Sequence, residues 1–151
     1  EFTLKNILAE YESKFDYIII DCPPSLNILT VNALTAATGV LIPVQCEFFA
    51  LQGLSELMTT IDTIKSSSNE NLVVKGIIRT MFDPRNNLAT DVSAQLLKFF
   101  DDKLYRTIIP RNITLAEAPS HGLPVLEYDK TSKGALSYLS LTGEILKQEK
   151  L

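Results

Sequence analysis

The sequence has few residues of the kinds that bind transition metals or form disulfide bonds. Its 151 residues include one histidine, His121, and two cysteines, Cys22 and Cys46, which form no Cys-x-x-Cys pair. A structural zinc site uses about four cysteine or histidine ligands, more than this chain contains. We therefore expect no metal site built on cysteine and histidine, and we expect the two thiols to be reduced and buried, as in a cytoplasmic protein.

Long apolar runs and a strongly basic composition are also missing. No run approaches the ~20 apolar residues that span a bilayer, and no signal peptide is recognisable. The formal net charge of −4 argues against a wholly basic nucleic-acid-binding module and leaves room for a local basic patch. With 46% hydrophobic and 21% charged residues, no linker and no repeat, the chain is predicted to form one globular domain over residues 1–151.

Apolar runs and amphipathic segments alternate along the chain. Apolar, β-branched runs predict strands at 16–21, 40–45, 72–81 and 104–109. Helical spacing of apolar residues predicts helices at 2–14, 25–37, 49–65, 89–100 and 132–149, with an irregular segment at 111–128. This order predicts an α/β fold with a doubly wound, mostly parallel sheet and helices on both faces.

Two local details accompany this assignment. Ser25 is the expected N-cap of the second helix, because a serine precedes the first helical turn there. The last helix is expected to turn its large apolar side chains inward, namely Leu136, Leu139, Ile145 and Leu146.

The most hydrophobic predicted strand ends on a carboxylate, in the stretch YIIIDCPPS at 17–25. Ligands of open α/β sheets bind just beyond the carboxyl ends of the strands, so Asp21 is expected to face a ligand. A carboxylate in that place can hold a hydrated Mg²⁺, and the fixed φ angles of Pro23 and Pro24 would aim it. A turn-forming or helix-capping aspartate is the alternative.

Three long stretches resemble the ParA/Soj family of chromosome- and plasmid-partition ATPases. They are FDYIIIDCPPSLNILTVNALTAATGVLIPVQCEFFALQGLSEL, TMFDPRNNL and IIPRNITLAEAPSHGLPVLEYDKTSKGALSYLSL. The resemblance covers nearly the whole chain. It implies a deviant Walker A P-loop NTPase fold and an ATPase that uses ATP and Mg²⁺. It further implies a homodimer formed around ATP, non-specific DNA binding, stimulation by a ParB-like partner, and a cytoplasmic, nucleoid-associated location.

The resemblance also assigns roles to individual residues. Asp21 corresponds to the Walker B carboxylate that holds Mg²⁺ through water. Pro23, Pro24 and Ser25 belong to switch II, at 22–27, which senses the γ-phosphate. Asn27 stands where family members commonly carry glycine, and asparagine is the other residue that tolerates a left-handed conformation well.

Two loops are implied to flank the adenine base. Their candidate residues are Thr80, Met81, Pro110, Arg111 and Asn112. Apolar side chains and backbone groups at strand ends suit a base-binding slot, although ordinary strand-to-helix loops have the same composition.

DNA contacts are implied for basic residues of the carboxyl-terminal half. The candidates are Arg85, Arg111, Lys130 and Lys133, with Lys98, Lys103 and Arg106 as lesser ones. A scatter of solvated surface charges is the alternative. Relatives usually carry a basic residue at the position of Thr114, so we expect weaker DNA binding here.

A glycine-rich phosphate loop is the main feature that the sequence lacks. Its six glycines are all isolated, and no GxxxxGK[ST] motif occurs. The family's phosphate loop and switch I aspartate precede the region that resembles this chain. We therefore expect the chain to be the carboxyl-terminal part of an ATPase domain, with the amino-terminal portion missing, and to be inactive alone.

Two other functions remain open from the sequence. A MinD-like membrane-cycling ATPase would end in a basic amphipathic helix, whereas EILKQEKL is mixed in charge and has no aromatic anchor, so we expect no membrane partner. A non-enzymatic α/β interaction domain could retain the half-fold without the phosphate loop.

Overall fold

The computed structural model describes residues 3–23, 25 and 27–149, and within them strands and helices alternate. The strands are β1 (Gly39–Gln45), β2 (Val73–Phe82) and β3 (Leu104–Pro110). The helices are α1 (Thr3–Leu8), α2 (Ile28–Ala36), α3 (Ala50–Ser67), α4 (Asn87–Phe100), α5 (Ile113–Glu117), α6 (Val125–Tyr128) and α7 (Lys133–Gln148). Short 3₁₀ turns span Asp101–Lys103 and Ala118–His121. No helix of the described part is both long and apolar enough to cross a membrane.

The three strands form one sheet in the order β1-β2-β3. Strands β2 and β3 run parallel, with Ile77 opposite Leu104, Arg79 opposite Ile108 and Phe82 opposite Pro110. The register shifts on both sides of Arg79. Strand β1 lies at an edge of the described sheet, and that position tolerates the missing N–H of Pro43.

The chain divides into two compact units, and the first comprises Glu1–Val40 and Leu54–Lys75. Asn69, a buried polar residue, lies two positions after the end of α3. The Asn69 amide nitrogen donates to the backbone oxygens of Leu34, at 2.9 Å, and Ala37, at 2.7 Å. These carbonyls lie at the carboxyl end of α2, where helical partners are lacking, so Asn69 joins the ends of the two helices.

The second unit comprises Leu41–Gly53 and Gly76–Leu151. On one face of its β2–β3 pair, Ile78, Tyr105 and Ile109 form a core cluster with Leu141 of α7. Neighbouring residues of a strand point to opposite faces, so Arg79 points away from this cluster. It contacts Ser93 of α4 there. Helices therefore cover both faces of the strand pair, as the alternating pattern predicts.

The prediction of a strand at 16–21 is wrong. This segment has no strand conformation, and Ile18 and Ile19 are 41% and 92% exposed. The apolar, β-branched pattern of 16–21 indicates only that these residues suit burial between two layers of the fold. A strand also needs a neighbouring backbone to pair with, and the described sheet contains β1, β2 and β3 alone.

The start of α2 differs from the prediction as well. The helix begins at Ile28, and its N-cap is Asn27, whose side-chain oxygen accepts from the N–H groups of Leu29, at 2.9 Å, and Thr30, at 3.3 Å. Asn27 has φ −111°, so this residue is extended and uses no left-handed conformation. Ser25 lies outside the helix and accepts a hydrogen bond from the Asn27 amide at 2.9 Å.

Three further expectations need correction. The segment 111–128 holds α5, α6 and a 3₁₀ turn and is not irregular throughout. The buried positions of α7 are Gly134, Ala135 and Leu141, and Ile145 packs against the core cluster as predicted, whereas Leu136, Leu139 and Leu146 are exposed. Cys22 is exposed, and only Cys46 is a buried thiol.

The face of α7 is set by a close approach at its amino end. A Cβ added to Gly134 would overlap the Leu115 side chain and lie 2.9 Å from the Asn112 side-chain oxygen. A residue with a Cβ at this position would require the Leu115 side chain or α7 to shift. The helix therefore turns this glycine inward, and the larger residues Leu136 and Leu139 that follow it take exposed positions.

We predict opposite effects for two glycine-to-alanine substitutions in α7. Gly134→Ala should lower the free energy of unfolding by about 1–3 kcal/mol through overpacking. Gly143→Ala, the matched control, adds a Cβ with no atom within 4 Å and should raise it by about 0.5–1 kcal/mol because alanine favours helices. Urea denaturation measures both. Equal effects of the two changes would contradict the close approach.

Candidate functional site

The loops predicted to flank a base meet at the ends of β2 and β3. The backbone N–H of Arg111 donates to the carbonyl oxygen of Phe82 at 3.0 Å, which fastens the two strand ends together. Thr80 and Pro110 are half-buried, and Met81 is 49% exposed. The structure thus brings the predicted residues of both loops to one edge of the second unit.

Met81 has a strained backbone at this edge. Its φ of 51° is the one positive value among the described non-glycine residues. The residue lies where β2 advances three positions, from Arg79 to Phe82, while β3 advances two, from Ile108 to Pro110. β2 therefore carries one extra residue, a β-bulge. A left-handed non-glycine residue costs on the order of 1–3 kcal/mol, and such residues concentrate at functional sites.

Asn112 links this edge to the next helix. Its side-chain oxygen accepts from the Leu115 N–H at 3.2 Å and thereby caps α5. Met81, which is 49% exposed, and the half-buried Pro110 offer apolar side chains at the same strand ends. Apolar surface with a few fixed polar groups is what a purine base requires, so these residues fit an adenine.

Asp83 and Arg85 follow β2 directly and bind each other. The two Asp83 carboxylate oxygens accept from Arg85 Nε at 2.9 Å and Nη2 at 2.7 Å. These hydrogen bonds lower the pKa of Asp83 to about 2. Arg85 was a predicted DNA contact, and its guanidinium is already engaged by a carboxylate. The other predicted contacts Arg111, Lys130 and Lys133 are exposed.

Asp21 lies in the first unit, in the irregular segment that follows α1. It and Pro23 are exposed, and Pro24 lies outside the described residues. Within the described ranges, no group of three or more His, Cys, Asp or Glu side chains could hold a metal ion. Mg²⁺ keeps several of its waters and needs only one or two carboxylates, so the single Asp21 carboxylate fits a water-mediated magnesium contact.

Two charged side chains that the sequence analysis did not select hold the middle of β3. Arg79 is 5% exposed. It donates from Nη1 to Ser93 Oγ at 3.0 Å, and from Nη2 to the carbonyl oxygens of Tyr105 at 3.0 Å and Arg106 at 3.3 Å. An arginine inside the apolar run VVKGIIRTM was the available signal, since arginine is rarely buried without partners.

Glu144 of α7 binds the same stretch of β3 through its N–H groups. Its carboxylate accepts from the backbone of Arg106 at 2.7 Å and of Thr107 at 3.0 Å. Partial burial alone would raise the pKa of Glu144, but the hydrogen bonds from Arg106 and Thr107 outweigh it and bring the pKa below its usual range. The carboxylate is therefore ionised at neutral pH.

The loop before α7 is ordered by its own polar groups. Asp129 accepts from the backbone N–H and hydroxyl of Thr131, at 3.0 and 2.7 Å, and Ser132 caps α7. The His121 ring stacks on Tyr128 with 4.9 Å between ring centroids. The histidine ring therefore packs within the loop.

Comparison with solved structures confirms the fold class. A cobyrinic acid a,c-diamide synthase from Mycobacterium smegmatis, solved with a bound ATP analogue and magnesium, superposes with a TM-score of 0.78 at 32% identity. The alignment covers 99% of this chain and 54% of that one. The cell division ATPase MinD of Pyrococcus furiosus gives a TM-score of 0.77 at 22% identity, over 97% of this chain and 58% of that one.

Sequence comparison identifies the family. A family model described as an AAA domain matches residues 1–74. The chromosome-partitioning ATPase Soj of Treponema pallidum is 51% identical over 99% of this chain and 59% of its own length. The sporulation initiation inhibitor protein Soj of Bacillus subtilis is 50% identical over 96% and 57%. The chain thus spans somewhat over half the length of these relatives, and over that span it belongs to the ParA/Soj family of chromosome-partitioning ATPases.

Proposed function

We propose that the protein containing this chain is an ATP-driven partition protein that binds ATP and Mg²⁺. The observation that carries the proposal is the joined end of β2 and β3. There, a strained Met81, Pro110 and the capping residue Asn112 lie at the ligand edge of a parallel strand pair. Relatives about half identical to the chain are named for chromosome partitioning, which points to the same process.

In this proposal the base is held by the loops that follow β2 and β3. Met81 and Pro110 supply apolar contact to adenine, and Thr80, Arg111 and Asn112 supply polar groups around it. Buried contacts of this kind fix the orientation of the nucleotide and exclude water from one side of it. The joined strand ends hold these residues in place before the ligand arrives, which reduces the entropy lost on binding.

The contacts to Mg²⁺ and to the γ-phosphate are assigned to Asp21 and to switch II. Asp21 would hold Mg²⁺ through water, and the ion would neutralise charge on the β- and γ-phosphates. Pro23, Pro24 and Ser25 would respond to the γ-phosphate as switch II. The hydrogen bond from Asn27 to Ser25 and the capping of α2 by Asn27 connect that segment to a helix, so a movement of Ser25 would reach α2.

We predict that Asp21→Asn in the full-length protein lowers the rate of Mg²⁺-dependent ATP hydrolysis by about 10²-fold or more, because the neutral amide cannot hold the hydrated ion. Phosphate release measures the rate. Asp16→Asn, in the same exposed segment, is the control and should retain the wild-type rate.

If the Asp21→Asn variant hydrolyses ATP at the wild-type rate, the assignment of Asp21 as the residue that holds Mg²⁺ is wrong. The 151-residue chain alone should show no ATP hydrolysis, because it has no phosphate loop to support phosphoryl transfer. Hydrolysis by that chain, abolished by Asp21→Ala, would overturn this expectation.

We further propose that the ATP-bound homodimer binds nucleoid DNA in the cytoplasm without sequence specificity and is stimulated by a ParB-like partner. The exposed Lys130 and Lys133 next to the amino end of α7, together with Arg111, are the proposed phosphate contacts. The carboxylate partner of Arg85 makes this residue the weakest of the four candidates, since a DNA phosphate would have to compete with Asp83.

We predict that Lys130→Gln and Lys133→Gln each weaken DNA binding by the ATP-bound dimer and reduce its log–log salt slope by about one, as loss of one phosphate contact requires. Arg85→Gln should change the slope less. Fluorescence anisotropy over a salt series measures these slopes, with Lys65→Gln as the control. An unchanged slope in the Lys130→Gln, Lys133→Gln double variant would exclude these residues from the DNA surface.

A further inference from the structure

Strand β3 carries two more residues than its partner in the stretch before the site. Between the pairs Ile77–Leu104 and Arg79–Ile108, β2 advances two positions and β3 advances four. The peptide groups of 105–107 therefore cannot all pair with β2. Buried backbone groups without partners are costly, so other groups must satisfy them.

Arg79 satisfies the carbonyl groups of this bulge. Its Nη2 reaches the oxygens of both Tyr105 and Arg106, while Nη1 is fixed by Ser93 of α4. Arg79 Nε is buried and has no hydrogen-bond partner within the described part of the chain. Burying an arginine with an unsatisfied N–H group costs free energy that an apolar residue would not cost. This cost argues that Arg79 has a specific role.

Glu144 satisfies the N–H groups of the same bulge. Each of its oxygens accepts from a different peptide group, Arg106 at 2.7 Å and Thr107 at 3.0 Å. Glu144 belongs to α7 and Arg79 contacts α4, so the bulge is held by helices on the two faces of the strand pair. Regular pairing resumes two residues after Arg106, where Ile108 lies opposite Arg79.

We propose that Arg79 and Glu144 form a clamp on the β3 bulge that sets the position of the base-binding edge. The clamp fixes how far β3 advances before Pro110, and hence where Pro110 and Asn112 stand relative to Met81. Both are positioning residues, since neither belongs to the edge itself. The inference rests on the proposed adenine site and goes beyond it by naming what determines the geometry of that site.

The test compares ligands that share the phosphates and differ in the base. Affinities of the full-length protein for ATP, GTP and inorganic tripolyphosphate are measured with Mg²⁺ by calorimetry. Glu144→Gln offers one acceptor oxygen in place of two, so only one of the two N–H groups keeps its partner. We expect ATP affinity to fall by about tenfold, the preference for ATP over GTP to shrink, and tripolyphosphate affinity to stay within about twofold.

Arg79→Lys tests the other side of the clamp. Lysine keeps the charge but cannot reach Ser93 and two carbonyl groups as a planar fork does, so the same loss of base preference is expected. Because the two substitutions lie on different elements, either one gives a result if the other variant does not fold. Glu70→Gln, an exposed glutamate of the first unit, is the matched control.

The outcomes separate the clamp from the site. If the wild-type protein shows no preference for ATP over GTP, the proposed adenine site is wrong and the clamp has nothing to position. If the wild type prefers ATP and both variants keep that preference, the site stands and the clamp is refuted. If the variants lose affinity equally for all three ligands, Arg79 and Glu144 only stabilise the protein in general, and the clamp is refuted as well.

Discussion

The register mismatch between β2 and β3 at 105–107 is the constraint around which the second unit is organised. A parallel ladder has evenly spaced hydrogen bonds, and two extra residues on β3 interrupt it. Arg79 supplies donors to the carbonyl groups and Glu144 supplies acceptors to the N–H groups. Charged partners form stronger hydrogen bonds than neutral ones, which suits a position where the backbone has no alternative.

This constraint also accounts for how the helices are arranged on the sheet. The apolar cluster of Ile78, Tyr105, Ile109 and Leu141 presses α7 onto one face, but apolar contact alone is not directional. The carboxylate of Glu144 fixes α7 along its axis relative to β3 because both of its oxygens are used. At its amino end, α7 can approach α5 as it does only because residue 134 is a glycine.

The opposite irregularities of the two strands determine the edge where the loops meet. β3 gains two residues before Arg79, and β2 gains one after it, so the two strands end almost level, with Phe82 opposite Pro110. The second shift requires Met81 to adopt a left-handed conformation. The pairing of Phe82 with Pro110 and the hydrogen bond from Arg111 to Phe82 hold that conformation, because a strained residue persists only where its surroundings leave no alternative.

The sequence predicted those elements whose partners lie within the described chain. The runs at 40–45, 72–81 and 104–109 became β1, β2 and β3, and the periodic segment at 49–65 became α3. The run at 16–21 has the same composition, yet its residues Ile18 and Ile19 are exposed. An apolar, β-branched composition shows that a segment suits burial in a sheet, but the neighbouring strands and helices that would bury it must come from elsewhere in the fold. The loops at 80–81 and 110–112, which the family resemblance places around adenine, follow neighbouring strands and are joined by the hydrogen bond from Arg111 to Phe82, and the adenine contact itself stays a prediction.

Arg79 shows why the rest of the site could not be predicted. Its side chain bonds to β3 where the register between β2 and β3 shifts. A register shift depends on how the two strands pair, so the sequence of either strand alone does not reveal it. Read alone, VVKGIIRTM places a cation on one face of a strand, and a solvated arginine is the ordinary expectation there. The register of β3 places the carbonyl groups of Tyr105 and Arg106 where the Arg79 side chain can donate to them. Lys75 stands in the same run and is exposed, whereas Arg79 is buried at the register shift, so the run alone does not tell the two cations apart.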